Sequence, residues 1–235
     1  MQLIQIAIYG AGGFAREVAW LAGESGDEQQ AYDVVCFIDD DTTAQGTMLN
    51  EIPVVSLAGA RSLFPEARIV SGVGLPRTRQ TIMERAEAAG SKFATLIHRR
   101  VERSRWITVG PGTVICAGNI LTTNITLGRH TQINLDCTVG HDVTMGDYTT
   151  LAPGVHVSGW VHFGRRVYIG TGAVILNGTR DCPLMIGDDA VVGAGACVLG
   201  PVSAGATVVG VPAKPLPREA DPVVAGWSTY PPKEP

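Results

Sequence analysis

Aromatic side chains are scarce in this sequence, at 6% of residues, and positive charge is neither abundant nor clustered. A core of stacked rings is excluded. The interior must come from Val, Ile, Leu and Ala, a composition that favours stacked β structure. Eighteen Lys and Arg against 22 Asp and Glu leave a net charge of −4. Affinity gained by neutralising a nucleic-acid backbone or an anionic membrane needs the opposite balance, so neither is expected as a partner. A small anion remains admissible, because a few backbone N–H groups suffice for a pyrophosphate. The five cysteines (Cys36, Cys116, Cys137, Cys182, Cys197) are odd in number and contain no CxxC pair. That excludes a disulfide framework and a zinc knuckle, and suits reduced thiols in the cytoplasm. No basic leader and no apolar run of about 18 residues is found, so a cytoplasmic protein without a membrane span is expected.

What the chain does have is a period. Stepping by six from Val109 meets Ile115, Leu121, Leu127, Ile133, Val139, Met145, Leu151, Val157, Phe163, Ile169 and Ile175 without a slip. Glycine follows at 110, 128, 140, 146, 164 and 170, and the fourth place on is usually small or β-branched, as at Thr113, Cys137 and Val155. A six-residue period of this kind predicts a parallel β-helix with three short strands per coil, residues 18 apart stacking at roughly 4.8 Å. After Ile175 the register breaks between Asn177 and Leu184 and resumes at Ile186, Val192 and Val198. A loop inserted there would project from the coil, where binding groups are often added.

Residues 1–95 read differently. Strands at Leu3–Tyr9, Asp33–Ile38 and Arg68–Ser71 alternate with helices at 14–23, 56–64 and 77–89, which predicts a small Rossmann-like α/β domain with a parallel sheet of about three strands. The β-helix is expected over 96–212, with 96–108 as linker and first coil. A Pro-rich, extended tail is expected over 213–235.

Gly10-Ala-Gly12-Gly13-Phe-Ala15 follows a strand and opens a helix, and Asp39, Asp40 and Asp41 end the next strand. The run satisfies G-x-G-x-x-A, which taken alone suggests NAD. Three strands supply only half a dinucleotide site, so a mononucleotide with a pyrophosphate fits better: glycine N–H groups and the helix dipole meet the phosphates, and an aspartate takes a hydroxyl or a base N–H. Gly74, in Gly72-Val-Gly74, ends the third strand on the same edge. The plain alternative is a glycine turn that merely lets strand meet helix.

Within the repeat, His141 sits two places after a core position and is expected to be exposed at the coil surface. Stacking by 18 sets Thr123 on one side of it, Gly159 on the other and Asn177 two coils along. A glycine there opens space and offers an N–H to a carbonyl oxygen while the imidazole takes a proton from a nucleophile. The competing reading is a solvated surface histidine. His98, His130, His156 and His162 fall in phases that do not converge, so no metal is expected. Cys137 and Cys197 read as packing residues.

These features together, with Asn134-x6-His141-Asp142, Leu151-Ala-Pro-Gly154 and the ending Gly210-Val-Pro-Ala-Lys214, resemble the nucleotide-sugar N-acetyltransferases of the left-handed β-helix superfamily over about residues 4–218. The likeness is greatest to the GDP-perosamine branch, with the bacillosamine-pathway and sialic-acid-acetylating branches near it. It implies a left-handed coil, a homotrimer with sites between subunits, acetyl-CoA as co-substrate and a nucleotide-linked 4-amino sugar as acceptor, in surface-polysaccharide (O-antigen) biosynthesis. Carried over by position, His141 is the base, Asp142 its partner, Gly159 the oxyanion N–H and Asn134 a contact near the reacting groups. Gly10, Gly12, Gly13, Gly74, Asp39 and Asp40 hold the nucleotide sugar, and Gly159, Asn177, Gly210, Pro212 and Lys214 border CoA. Thr150 departs from the bacillosamine-pathway pattern, which has a second histidine there. Alternatives to amine acetylation are hydroxyl acetylation and a non-catalytic sugar-nucleotide-binding trimer.

Overall fold

In a computed structural model that describes residues 2–26 and 30–216, the N-terminal part runs β1 (Gln2–Tyr9), α1 (Gly13–Gly23), β2 (Gln30–Ile38), β3 (Met48–Leu49), β4 (Ile52–Val55), α2 (Leu57–Leu63), β5 (Arg68–Ser71) and α3 (Pro76–Ala88). Strand order is β3-β4-β2-β1-β5, with β1 parallel to both β2 and β5. The sheet therefore has five strands rather than three. Unforeseen was the hairpin β3–β4, whose turn residues Asn50 and Glu51 both take positive φ without the Asn-Gly or Asp-Gly pair that usually announces such a turn. The apolar stripe of α1 (Ala15, Val18, Leu21) packs on one face of the sheet; Ala60 of α2 and Ile82, Met83 and Ala86 of α3 pack on the other.

From residue 96 the chain coils through three parallel faces. The first carries the strands from Leu96–Ile97 to Thr207–Val209, the second those from Glu102–Arg103 to Cys197–Val198, and the third those from Ile107–Val109 to Leu184–Ile186. Partners lie 18 residues apart, as for Ile120 and Thr138 or Gln132 and Thr150. The apolar residues of the six-step series from Ile115 to Ile175 are buried along the coil axis. Three places after each six-step residue from Val109 to Ile169 the backbone is left-handed: at Gly112, Gly118, Asn124, His130, Asp136, Asp142, Tyr148, Gly154, Trp160, Arg166 and Gly172. These residues turn the corners.

Phe163 pairs with Ile186, 23 residues on instead of 18, so the inserted segment bulges at the corner between the second and third faces. Lys214 and Pro215 pair antiparallel with Val209 and Val208, which continues the first face to residue 215, past the expected boundary at 212. The tail from residue 217 lies outside the described residues.

α3 fixes the first domain to the coil, along the corner between the third and first faces. Arg77 near its start pairs with Asp189 at 3.0 Å, and Glu87 near its end with Arg129 at 2.8 Å. Ten helical residues advance about 15 Å, and three coil steps cover roughly 14 Å, so the helix lies along the coil axis with both ends matched.

Candidate active site

His141 occupies the corner between the second and third faces, its side chain 54% exposed. Asp142 sits in the left-handed turn, with φ 56°, and its carboxylate accepts from the His141 Nδ1 at 2.8 Å. A carboxylate only accepts, so Nδ1 carries a proton, and in the neutral imidazole Nε2 is the bare nitrogen. Asp142 is held in turn by the Asn124 amide, which donates at 3.2 Å from one coil below. Trp160, one coil above Asp142, stands edge-on to the imidazole at 6.3 Å.

Gly159 lies under the ring. A Cβ there would meet the His141 Nε2 and Cε1 at 2.6 Å. Its N–H meets no acceptor among the described residues, as is also the case for Thr123 and His141 in the same column; at the corner between the third and first faces the position is capped, Arg129 N–H donating to Asp147 and Arg165 N–H to Asp188. An imidazole with a bare nitrogen thus stands beside a backbone donor with nothing to donate to. Asn177 continues this column, its amide donating locally to the Gly178 carbonyl. The Gly210 carbonyl accepts from Cys197 N–H and Ala213 N–H donates to the Cys197 carbonyl, so the turn holding Pro212 and Lys214 caps the second face. Asn134 is 8% exposed and donates to the Leu151 carbonyl at 2.9 Å, which places it on the first face, away from the His141 corner.

The glycine turn opens a crevice at the carboxyl edge of the sheet, where the chain passes from β2 on one side of β1 to β5 on the other. Such switch points collect ligands. Gly10 takes φ 116°, and a Cβ on it would meet Val73 Cγ2 at 2.9 Å, so the two lips of the crevice touch. Gly12 caps α1 without a side chain, which leaves exposed N–H groups at the helix start. Asp39 accepts from Ala11 N–H at 3.1 Å and braces the loop. Asp40 accepts from the Tyr9 hydroxyl at 2.9 Å and pairs with Arg85. Burial and the Asp40 carboxylate push the Tyr9 hydroxyl up to about 12, so it stays a donor.

The second lip is tied down. Arg79, fully buried, donates to the carbonyls of Val73 and Gly74, and Thr150 Oγ1 also donates to Gly74. Sequence reasoning missed Arg79, although a charge sharing the stripe of Ile82, Met83 and Ala86 is a legible anomaly. It missed Asn124 and Trp160 too, which the 18-residue step places on either side of Asp142. Among the described residues no three His, Cys, Asp or Glu side chains gather as metal ligands, and no helix is long and apolar enough to cross a membrane.

Fold and site together define a hexapeptide-repeat acyltransferase with an appended α/β domain. Residues 5–86 match the PglD N-terminal domain family. The chain is 31% identical to GDP-perosamine N-acetyltransferase of Escherichia coli O157:H7 over 212 residues, 90% of this chain and 96% of that one. It is also similar to the acetyltransferase domain of PglB from Neisseria gonorrhoeae FA1090 in complex with acetyl coenzyme A (34% identity, 90% and 98% covered, TM-score 0.79). A mutant perosamine N-acetyltransferase from Caulobacter crescentus, solved with CoA and GDP-perosamine, matches at 27% identity with 90% and 96% covered and a TM-score of 0.80. The chain belongs to the nucleotide-sugar N-acetyltransferases of the left-handed β-helix superfamily.

Proposed function

We propose that this protein moves the acetyl group of acetyl-CoA to the 4-amino group of a nucleotide-linked 4-amino sugar, GDP-perosamine first, as a step in surface-polysaccharide (O-antigen) synthesis in the cytoplasm. The observation that carries this reading is the His141 imidazole, its Nδ1 bound to Asp142 and its Nε2 against the side of Gly159 that lacks a Cβ. Complexes of relatives with acetyl coenzyme A, and with CoA and GDP-perosamine, support the two substrates.

The amine nitrogen attacks the thioester carbonyl while Nε2 takes one of its protons. The Gly159 N–H donates to the oxygen as it gains charge. The C–S bond then breaks, the amide forms, and the imidazolium returns its proton to the leaving thiolate. No acyl-enzyme is needed. Such a base is typically worth about 10²–10⁴-fold in rate. Gly10, Gly12 and Gly13 take the pyrophosphate, Asp39 and Asp40 face the nucleoside, and Asn177 with the Gly210–Lys214 turn borders CoA.

In one chain the crevice lies by the corner between the third and first faces, and His141 lies at the corner between the second and third. A homotrimer, in which one chain's corner meets its neighbour's crevice, brings them together and gives Asn134 of a second chain access to the reacting groups. Light scattering on the purified protein reads the mass directly, and a monomer that turns over substrate would overturn this arrangement.

The deciding assay follows thiol release from acetyl-CoA with GDP-perosamine, with UDP- and dTDP-linked 4-amino sugars, and with free sialic acid. Rapid release with GDP-perosamine is expected. Release only with another 4-amino sugar nucleotide moves the base assignment, release only with sialic acid moves the chemistry to a hydroxyl, and none at all overturns the proposal.

A further inference from the structure

We infer that Arg79 is a positioning residue for the acceptor: its guanidinium holds one lip of the nucleotide crevice in register with the coil. The inference rests on the assignment of that crevice to the sugar nucleotide.

Arg79 leaves α3 for the seam between the domain and the β-helix and is wholly buried there. On the domain side, Nη1 donates to the Val73 carbonyl at 3.0 Å and the Gly74 carbonyl at 2.9 Å. On the coil side, Nε donates to the His130 carbonyl at 2.9 Å, Nη1 to Gln132 Oε1 at 2.7 Å, and Nη2 to the Tyr148 carbonyl at 2.6 Å and Thr150 Oγ1 at 2.8 Å. None of these acceptors is a carboxylate, and burial lowers its pKa to about 9. For stability alone this is a poor solution, since apolar side chains fill such a space at less cost than a buried charge. What a guanidinium adds is a planar fork of donors with fixed directions, which reaches two layers at once.

Two coil residues repeat the connection independently. Gln132 accepts from Arg79 and donates through Nε2 to the Ser71 carbonyl at 3.1 Å; Thr150 accepts from Arg79 and donates to the Gly74 carbonyl at 2.9 Å. Ser71, Val73 and Gly74 are therefore all held from the coil. Val73 is the residue whose side chain approaches Gly10 on the opposite lip. In this chain the Thr150 hydroxyl thus serves the lip.

The test is steady-state kinetics of Arg79→Lys and Thr150→Val, run well below each variant's melting temperature, with the 4-amino sugar nucleotide that the wild type turns over. Lysine keeps the charge but not the fork, and valine removes one hydroxyl of similar shape. KM for the sugar nucleotide is expected to rise about tenfold for Arg79→Lys and about threefold for Thr150→Val, with KM for acetyl-CoA moving less than about twofold. A lowered melting temperature with both KM values unchanged would make the network merely structural and overturn the inference. If Arg79→Lys does not fold, an unchanged acceptor KM in Thr150→Val is enough to do so. Gly13→Asp separates the two layers of argument, because it puts a negative charge at the open start of α1. If it leaves the acceptor KM unmoved, the crevice assignment fails; if it raises that KM and the other two variants do not, only the role of Arg79 fails.

Discussion

A carboxylate that directly follows its histidine reaches the ring only because Asp142 adopts φ 56°. On an extended strand the two side chains would point to opposite faces. The bond fixes the tautomer, so Asp142→Asn, whose amide can donate to Nδ1 and shift the proton to Nε2, is expected to lower kcat by about 10- to 100-fold, and His141→Asn by about 10²–10⁴-fold, with smaller changes in KM. Initial rates at saturating acetyl-CoA measure both, and an unchanged kcat in His141→Asn removes it as the base. Gly159→Ala tests the space beneath the ring. Its Cβ would stand 2.6 Å from the imidazole, which is half exposed and free to swing outward. Activity is therefore expected to fall with the melting temperature nearly unchanged, and a variant of full activity would show that the ring does not work in this pose.

Among the elements, α1 and the end of β5 approach each other closely at Ala15 and Gly72. A Cβ at Gly72 would lie 2.5 Å from Ala15 Cβ and 2.6 Å from its Cα, so backbone must move to admit it. Gly72→Ala is expected to destabilise by about 1–3 kcal/mol, which thermal unfolding reads as a fall of about 2–10 °C. The coil was legible in the sequence because its inward residues repeat at six, and the insertion after Ile175 showed as a break in that count. The His141 corner was legible from the same arithmetic. The left-handed corner positions were not read: Gly112, Gly118, Asn124, Asp136 and Gly154 tolerate positive φ, but Tyr148, Trp160 and Arg166 at the same place in the six-residue repeat obscure the pattern. β3–β4 and the Arg79 network were not legible. The first uses turn residues without a signature, and the second depends on three-dimensional neighbours more than 50 residues away.

For the molecule as a whole, the seam between domain and coil is also where pH is felt. His130 is buried beneath Tyr148 and beside Phe93, with its Nδ1 edge against Gly112. Burial first, then the Arg129 and Arg79 charges, lower its pKa to about 4 from the usual 6.5. Between those values the unfolded chain takes up a proton that the folded chain refuses. The contribution is fully present above pH 6.5 and lost as pH falls toward 4, up to about 3 kcal/mol. His130→Phe is expected to flatten the decline in melting temperature over that window; a slope as steep as the wild type's would exclude His130 as the cause.

The match between α3 and three coil steps divides the β-helix into lengths that are free to change and one that is not. Residues added at the His141 corner bulge outward and leave the stacking spacing intact, as the segment after Ile175 does. A whole coil added or lost between Arg129 and Asp189 would displace one end of α3 by about 5 Å and separate an ion pair from its partner. Variation in chain length is thus directed toward the His141 corner and away from the docking edge, so a longer loop there leaves the alignment of domain and coil unchanged.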